Sequence, residues 1–188
     1  LELQAARDFP RPYWDPTLAR DHCGLLLLIE RLRQANLISF RRKLKAKIGI
    51  FFVKKKDPAW IRLIIDARQA NRCHRAPPKT RLGSVGGFCE LGLSDAALRD
   101  LGGFGPVAEI WGGASDVDDC FYQMLVEELG SWFGIDMPRA AGYWGVSSVY
   151  DDDVGHRAPI NPSDVVYPVF HGMAMGWFWA LHLANEAV

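Results

Sequence analysis

Apolar positions near the start of the chain recur with the period of an α-helix. Apolar side chains recur at helical spacing at Leu18, Leu25, Leu28, Ile29 and Leu32, as on the buried face of an amphipathic helix. Asp15 followed by Pro16 is typical of a helix start, because Asp can accept the first free amides and Pro is tolerated at the first helical position. The pattern predicts a scaffold helix over residues 16–36.

The period changes to two further along, where apolar residues alternate with lysines over residues 44–53. This alternation predicts a strand. The turn sequence Asp57-Pro58-Ala59 follows, and a second strand-like stretch runs over residues 60–66. Since Asp-Pro favours a turn, we predict a β-hairpin with cations at its tip. Such a tip is suited to closing over a triphosphate, although exposed lysines can also simply keep a hairpin soluble.

The second half of the chain is less regular. We predict strands at about residues 107–111, leading to Asp116, and at residues 132–135 and 165–170. Residues 136–164 carry proline, glycine and an acidic run, which favours a long loop or an insertion. From residue 178 the chain is apolar and helix-compatible up to Val188. Because the sequence stops within a predicted helix, we expect it to be a piece of a longer protein.

Composition places the chain among globular proteins. Its 188 residues are 49% apolar, enough for one core, so we expect a single unit or part of one. The four cysteines form no Cys-x-x-Cys pair, which argues against a zinc site or a disulfide framework and favours a reducing compartment. No apolar run is long enough to span a membrane. We expect an intracellular protein of the cytoplasm or nucleus, neither secreted nor membrane-bound.

The net charge of zero hides a strong asymmetry. Residues 41–81 contain fourteen lysines and arginines against two aspartates, whereas residues 82–188 contain three against fifteen acidic residues. The basic residues alternate with apolar ones across two predicted strands. This arrangement favours a one-sided surface that follows nucleic-acid phosphates over a merely solvated face.

The acidic turn over residues 115–123 is the main candidate for chemistry. Asp116 follows an apolar run, and Asp118 and Asp119 come directly after it. Carboxylates in such a turn can hold a divalent metal against phosphate oxygens. By itself the turn is weak evidence, because acidic turns are more often solvated loops or helix caps. We expect Asp118 to be solvated.

Three segments, in this order, resemble the reverse transcriptase domain of retroelements and retroviruses. The first is similar to the family's fingers hairpin, with its pattern Lys-Lys-Asp followed by Arg-x-x-x-Asp-x-Arg-x-x-Asn, here running from Lys54 to Asn71. The second, Asp116 to Phe121, looks like the first palm motif, an aspartate followed five residues later by an aromatic residue. The third, at residues 173–177, resembles the Leu-Pro-Gln-Gly-aromatic turn that opens the second palm motif.

This resemblance covers roughly residues 48–188 and implies a fold. The fold would be α+β, comprising the fingers and part of the palm of a right-hand polymerase, with an antiparallel sheet and packed helices. The N-terminal helix and fingers would occupy about residues 1–112, and the start of the palm about residues 113–188. A fingers-like insertion would fall at about residues 136–166.

The resemblance also implies a metal site and a triphosphate site. Template-directed addition of dNTPs would use two Mg²⁺ ions, which activate the primer hydroxyl and neutralise the leaving pyrophosphate. Asp116 carries over as the catalytic metal ligand, with the Val117 carbonyl beside it. Lys55 and Arg62 would hold the triphosphate, a bidentate role that suits arginine.

The remaining carried-over positions would form the nucleotide pocket. The backbone amides of Asp119 and Cys120 would meet phosphate oxygens, and Phe121 would lie under the sugar. A bulky ring there excludes a 2′-hydroxyl and so implies deoxynucleotides, although Phe121 could also be ordinary core packing. Met175, before Gly176, stands where the family usually has glutamine. It can pack against a base or sugar but lacks the side-chain hydrogen bonds.

The family's third palm motif, Tyr-x-Asp-Asp, is expected after the second and therefore beyond Val188. The string Tyr150-Asp151-Asp152-Asp153 matches it, but precedes the second palm motif and lacks apolar flanks. We interpret it as an acidic surface loop; a permuted motif is the alternative. His156 and His171 lack the partner spacing of a metal site, which favours a loop or packing role.

The sequence therefore favours a fragment of an RNA-directed DNA polymerase from a retrotransposon, inactive by itself, with RNA or DNA template-primer and dNTP as partners. The alternative is a non-catalytic relic that binds nucleic acid through the basic hairpin. A polymerase copying RNA into RNA is a third possibility, against which Phe121 argues. Nothing in the sequence indicates a protein partner.

Overall fold

The computed structural model describes residues 9–80, Ser94 and residues 117–187. The chain divides into two compact units, one formed by residues 1–78 and 119–188 and the other by residues 79–118. Every element described below belongs to the first unit. The predicted strand leading to Asp116, and Asp116 itself, lie outside the described residues.

The first unit combines short helices with short strands. Its helices are α1 (Pro16–Arg20), α2 (His22–Gln34), α3 (Arg68–Cys73), α4 (Cys120–Gln123) and α5 (Ala180–Ala187). Its strands are β1 (Ile38–Arg41), β2 (Gly49–Lys54), β3 (Ile61–Asp66), β4 (Arg139–Ala140), β5 (Ser148–Asp151), β6 (His156–Pro159) and β7 (Val165–Phe170). Two 3₁₀ segments cover Glu127–Trp132 and Ala141–Trp144.

The strands form three small antiparallel sheets: β1-β7-β4, the hairpin β2-β3 and the hairpin β5-β6. Helices and antiparallel sheets in one unit define an α+β protein, as the sequence predicts. No helix in the described part of the chain has the length and apolar character needed to cross a membrane.

The predicted N-terminal helix is confirmed but consists of two pieces. The Asp15 side chain accepts from the Thr17 amide at 2.9 Å, which is the expected cap. Asp21 separates α1 from α2 and caps α2 by accepting from the Gly24 amide at 2.9 Å. An aspartate that caps a second helix interrupts the first, because its own backbone is non-helical.

The predicted basic hairpin is also confirmed. β2 and β3 pair with Gly49 opposite Asp66 and Val53 opposite Arg62. The first strand starts at Gly49 rather than residue 44, because the preceding backbone bonds elsewhere. The Lys45 amide donates to the Ser131 carbonyl at 2.8 Å.

The later elements of the chain agree with the predictions only in part. β7 and the helix α5 are confirmed, with α5 starting at Ala180. The strand predicted at residues 132–135 is not formed, because the chain there leaves a 3₁₀ segment at Trp132; the following residues meet β7 through an isolated bridge at Gly134 and the backbone hydrogen bonds of Phe133 and Ile135. Residues 136–164, predicted to be irregular, contain β4, β5 and β6.

The core lies between α2, the β1-β7-β4 sheet and the base of the β2-β3 hairpin. Residues with essentially no exposed surface come from each of these elements and from the 133–135 segment: Ile29, Ile50, Ile65, Phe133, Ile135, Val166 and Phe170. The tip of the basic hairpin projects from this core, since burial falls along β2 and rises along β3.

Candidate functional site

The basic hairpin brings two of the predicted nucleotide-binding residues together. Lys55 and Arg62 line a single depression of about 390 Å³, with Val53, Lys54, Lys56 and Asp57. The strand register explains this, because Arg62 lies opposite Val53 and the Lys55 amide donates to the Trp60 carbonyl at 3.0 Å. Both cations are exposed to solvent.

Trp60 adds a surface at this tip that the sequence reasoning did not assign. Its side chain is 63% exposed, although a tryptophan is usually buried in large part. An exposed aromatic ring among lysines is the combination on which bases stack while cations meet phosphates. The signal was present in the sequence, as a tryptophan directly after the turn.

The acidic turn is described from Val117 onward. Val117 is 48% exposed, and the Asp118 and Asp119 side chains are exposed. Asp119 has a left-handed backbone with φ 50°, and its carbonyl accepts from the Tyr122 amide at 2.8 Å. Cys120 is the first residue of α4, so its amide has no acceptor within the helix. Phe121 is half-buried.

Tyr122, which the sequence reasoning did not single out, fixes this turn to the basic hairpin. Its hydroxyl donates to the Leu63 carbonyl in β3 at 2.7 Å. Burial raises the pKa of Tyr122, Asp119 adds to the rise, and Arg62 opposes it. Asp119 and Arg62, two of the predicted site residues, thus both act electrostatically on one half-buried phenol.

The Met173-to-Trp177 turn lies against the acidic turn. The Met173 amide donates to the carbonyl of Phe121 at 3.1 Å and to that of Met124 at 2.8 Å. Met173 is buried, and Met175 and Gly176 are half-buried. The structure thus joins Phe121 to the turn that carries Met175 and Gly176.

The same turn is held against the hairpin by Asn71 in α3. The Asn71 side-chain amide donates to the Gly176 carbonyl at 3.0 Å and accepts the Phe178 amide at 3.0 Å. A side chain at Gly176 would overlap the Ile65 carbonyl oxygen at the end of β3. Only glycine permits this approach of the two backbones.

Asp66 and Arg68 order the base of the hairpin. The buried Asp66 carboxylate accepts from the Arg68 side chain at 2.7 and 2.8 Å and from the Tyr13 amide at 2.6 Å. Burial by itself would raise the pKa of Asp66, but the hydrogen bonds from Arg68 and Tyr13 outweigh it and lower the pKa. Because both carboxylate oxygens accept hydrogen bonds at the base of the hairpin, this aspartate has a structural role.

The Tyr150-to-Asp153 string, predicted to be an acidic surface loop, forms the end of β5 and the start of a turn, with Asp153 exposed and the other three residues half-buried. It lies at the tip of the β5-β6 hairpin, where Asp151 pairs with Arg42 at 3.2 Å and Asp152 with Arg41 at 3.8 Å. Within the described residues no three His, Cys, Asp or Glu side chains are grouped to hold a metal. His171 is buried, with Nε2 2.7 Å from the Asn36 carbonyl oxygen, and His156 is exposed.

Comparison with known proteins adds no family assignment. No protein-family model matches the sequence, and no curated protein matches it significantly.

Proposed function

We propose that the chain is the fingers and first part of the palm of an RNA-directed DNA polymerase from a retroelement. The observation that carries the proposal is the meeting of the three segments that resemble that family. β3, the acidic turn and the Met173-to-Trp177 turn are distant in sequence, yet direct hydrogen bonds join each to the next. If the three likenesses were due to chance, there would be no reason for the three segments to lie together.

The arrangement around the hairpin supports a triphosphate site. Lys55 and Arg62 share one solvent-open depression, and Arg62 acts on Tyr122 beside Phe121. A cationic depression suits the phosphates of a nucleotide, and a half-buried ring suits the apolar contact that its sugar needs. In this proposal the amides of Asp119 and Cys120 meet phosphate oxygens, and Phe121, Met175 and Gly176 form the sugar and base side.

Two Mg²⁺ ions supply the chemistry in this class of polymerase, by lowering the pKa of the primer hydroxyl and neutralising the leaving pyrophosphate. In this chain Asp116 and the Val117 carbonyl are the proposed ligands. Oxygen ligands of this kind would suit Mg²⁺. In this proposal the residues of the first unit described above bind and orient the nucleotide.

The alternative proposal is a nucleic-acid-binding relic without catalysis. The observation that favours it is Met175, which removes the hydrogen-bonding side chain expected in the turn, while the exposed tip with Lys54, Lys55, Lys56 and Trp60 needs no metal to bind nucleic acid. Salt-sensitive binding of an RNA template without any extension would support the relic.

Extension of a primed RNA template separates the two proposals. The full reading frame that encodes this chain is assayed with Mg²⁺ and either dNTPs or rNTPs, and Asp116→Asn is the matched variant. Polymerase function predicts extension with dNTPs that the variant loses. Preference for rNTPs would instead identify a polymerase that makes RNA and would contradict the role given to Phe121.

A further inference from the structure

A second cationic surface lies away from the hairpin tip, between the end of β1 and the β5-β6 hairpin. It encloses a cavity of about 400 Å³. One wall is the basic strip, which we define as Arg41, Arg42, Lys43 and Lys45. The other is the acidic tip, defined as Tyr150, Asp151, Asp152 and Asp153.

Arg41 is the unusual member of the strip, because its side chain is only 1% exposed. Its terminal nitrogens donate to Ser39 Oγ and to the backbone carbonyls of Phe40 and Glu127. Its Nε, which is also buried, has no hydrogen-bond acceptor among the described residues. The nearest carboxylate oxygen, from Asp152, is 3.8 Å away, beyond hydrogen-bond distance.

The acidic tip therefore neutralises the strip incompletely. Arg42 makes a single 3.2 Å contact with Asp151 rather than a bidentate pair, and both side chains are partly exposed. Exposed pairs of this kind contribute little to stability. Lys45 lies over the Trp132 ring at 5.5 Å, and within the described residues Lys43 has no carboxylate partner.

One aromatic ring, Tyr150, lines the cavity, and a second, Trp132, lies next to the strip outside the cavity lining. Tyr150 lies under the Arg41 guanidinium, at 4.6 Å from the ring centroid, and Trp132 lies beside Lys45. A row of cations with aromatic rings at its edge is the pattern that binds single-stranded nucleic acid, in which phosphates meet the charges and bases stack. A cavity of this size can hold one phosphate together with its sugar. In a duplex the sugar and base are held in the helix, so a single strand fits this cavity better.

The acidic tip is attached in a way that permits displacement. The β5-β6 hairpin is a separate two-stranded sheet with four residue pairs. Its turn contains Gly155 with φ 74°. The hairpin is anchored by the buried Val149 and by the Arg42 hydrogen bond to the Pro159 carbonyl at 2.9 Å. Displacement therefore requires only that the Asp151 and Asp152 side chains rotate away from the strip.

We propose that the basic strip is a second binding surface for the backbone of single-stranded nucleic acid, and that the acidic tip covers it in the free protein as a phosphate mimic. A strand that binds displaces Asp151 and Asp152 and offers a phosphate oxygen to Arg41 Nε. The proposal requires no polymerase chemistry, so it does not depend on the proposed function.

The first test measures binding of a short dye-labelled oligouridine to this chain by fluorescence anisotropy. Asp152→Asn removes one charge from the cover and should tighten binding by about threefold, with a steeper dependence on salt. Glu186→Gln, on the exposed side of α5, removes the same charge elsewhere and should change affinity far less. Equal tightening by both variants would overturn the role of the tip.

The second test substitutes two exposed residues of the strip and leaves the buried Arg41 unchanged. Arg42→Ala with Lys43→Ala should weaken binding by about tenfold and make the slope of log affinity against log salt shallower by about 0.7 for each phosphate that is no longer bound. Arg20→Ala with Arg31→Ala, two exposed arginines of α1 and α2, is the control of equal charge. If the two double variants bind equally, or if alanines at Lys54, Lys55 and Lys56 abolish all binding, the proposal is wrong.

Discussion

Gly176 shows how closely a single residue can set the geometry of this protein. Its position against the Ile65 carbonyl leaves no room for a side chain, and it lies in the Met173-to-Trp177 turn, one of the three segments of the candidate site. Asp66 is a second residue of this kind, since its buried carboxylate orders the base of the basic hairpin. Both positions are testable without any assay of activity.

For Gly176→Ala we expect a decrease of about 2 to 3 kcal/mol in the free energy of unfolding, because the new Cβ overlaps a backbone oxygen that cannot rotate away. Gly155→Ala is the control. That glycine has open space around it and φ 74°, so alanine there should cost only about 1 kcal/mol through its backbone conformation. Urea unfolding measures both, and equal decreases would contradict the close packing at Gly176.

For Asp66→Asn we expect a decrease of about 2 kcal/mol in the free energy of unfolding at neutral pH, because charge-assisted hydrogen bonds from Arg68 and Tyr13 weaken. The native pKa lies below the ordinary 3.8, so this stabilisation is complete above that value and disappears as the pH falls through the native pKa. The difference between wild type and variant should therefore shrink in acid. A difference independent of pH would contradict the lowered pKa, and Glu186→Gln serves as the exposed control.

At the scale of elements, two features define the candidate site. Helix α3 holds the Met173-to-Trp177 turn in place, and the tip of the β2-β3 hairpin carries exposed cations. Helix α3 was not predicted, because its six residues carry no hydrophobic period and precede Pro77-Pro78. The helix matters because it places Asn71 within reach of the turn. Periodicity cannot detect an element whose main contact is one polar side chain.

Asn71→Ala should lower the free energy of unfolding by about 2 kcal/mol, because a partly buried donor and acceptor are both left without a partner. The Phe178 amide, which now donates to Asn71, should also exchange its hydrogen faster. Gln34→Ala, on the exposed end of α2, is the matched control and should leave that exchange unchanged. Protection of Phe178 that survives Asn71→Ala would contradict the clamp.

Alanine at Lys54, Lys55 and Lys56 should weaken binding of single-stranded RNA and make its salt dependence shallower by about 0.7 for each phosphate that is no longer bound. Trp60→Ala should weaken binding by about 1 to 3 kcal/mol with an unchanged salt dependence, because stacking releases no counterions. Anisotropy titrations over a range of salt concentrations separate the two effects. A tip that contributes nothing in either measurement would contradict its role as a nucleic-acid surface.

At the scale of the whole molecule, the sequence predicted what local chemistry determines. Asp15-Pro16 and the alternation before Val53 placed the first helix and the hairpin, and the resemblance grouped Lys55 with Arg62 and Phe121 with Met175. The β5-β6 hairpin was missed because β6 is largely exposed and lacks an apolar face. The burial of Arg41 could not be predicted, since it depends on partners more than eighty residues away.

The central claim is the proposal that β3, the acidic turn and the Met173-to-Trp177 turn belong to one polymerase site that adds deoxynucleotides. The most direct measurement is magnesium-dependent extension of a DNA primer on an RNA template by the product of the full reading frame, compared with its Asp116→Asn variant. We expect extension with dNTPs and a decrease of at least about a thousandfold in the variant, because a metal ligand is removed. Equal extension by both proteins, or template binding with no extension by either, would contradict the claim.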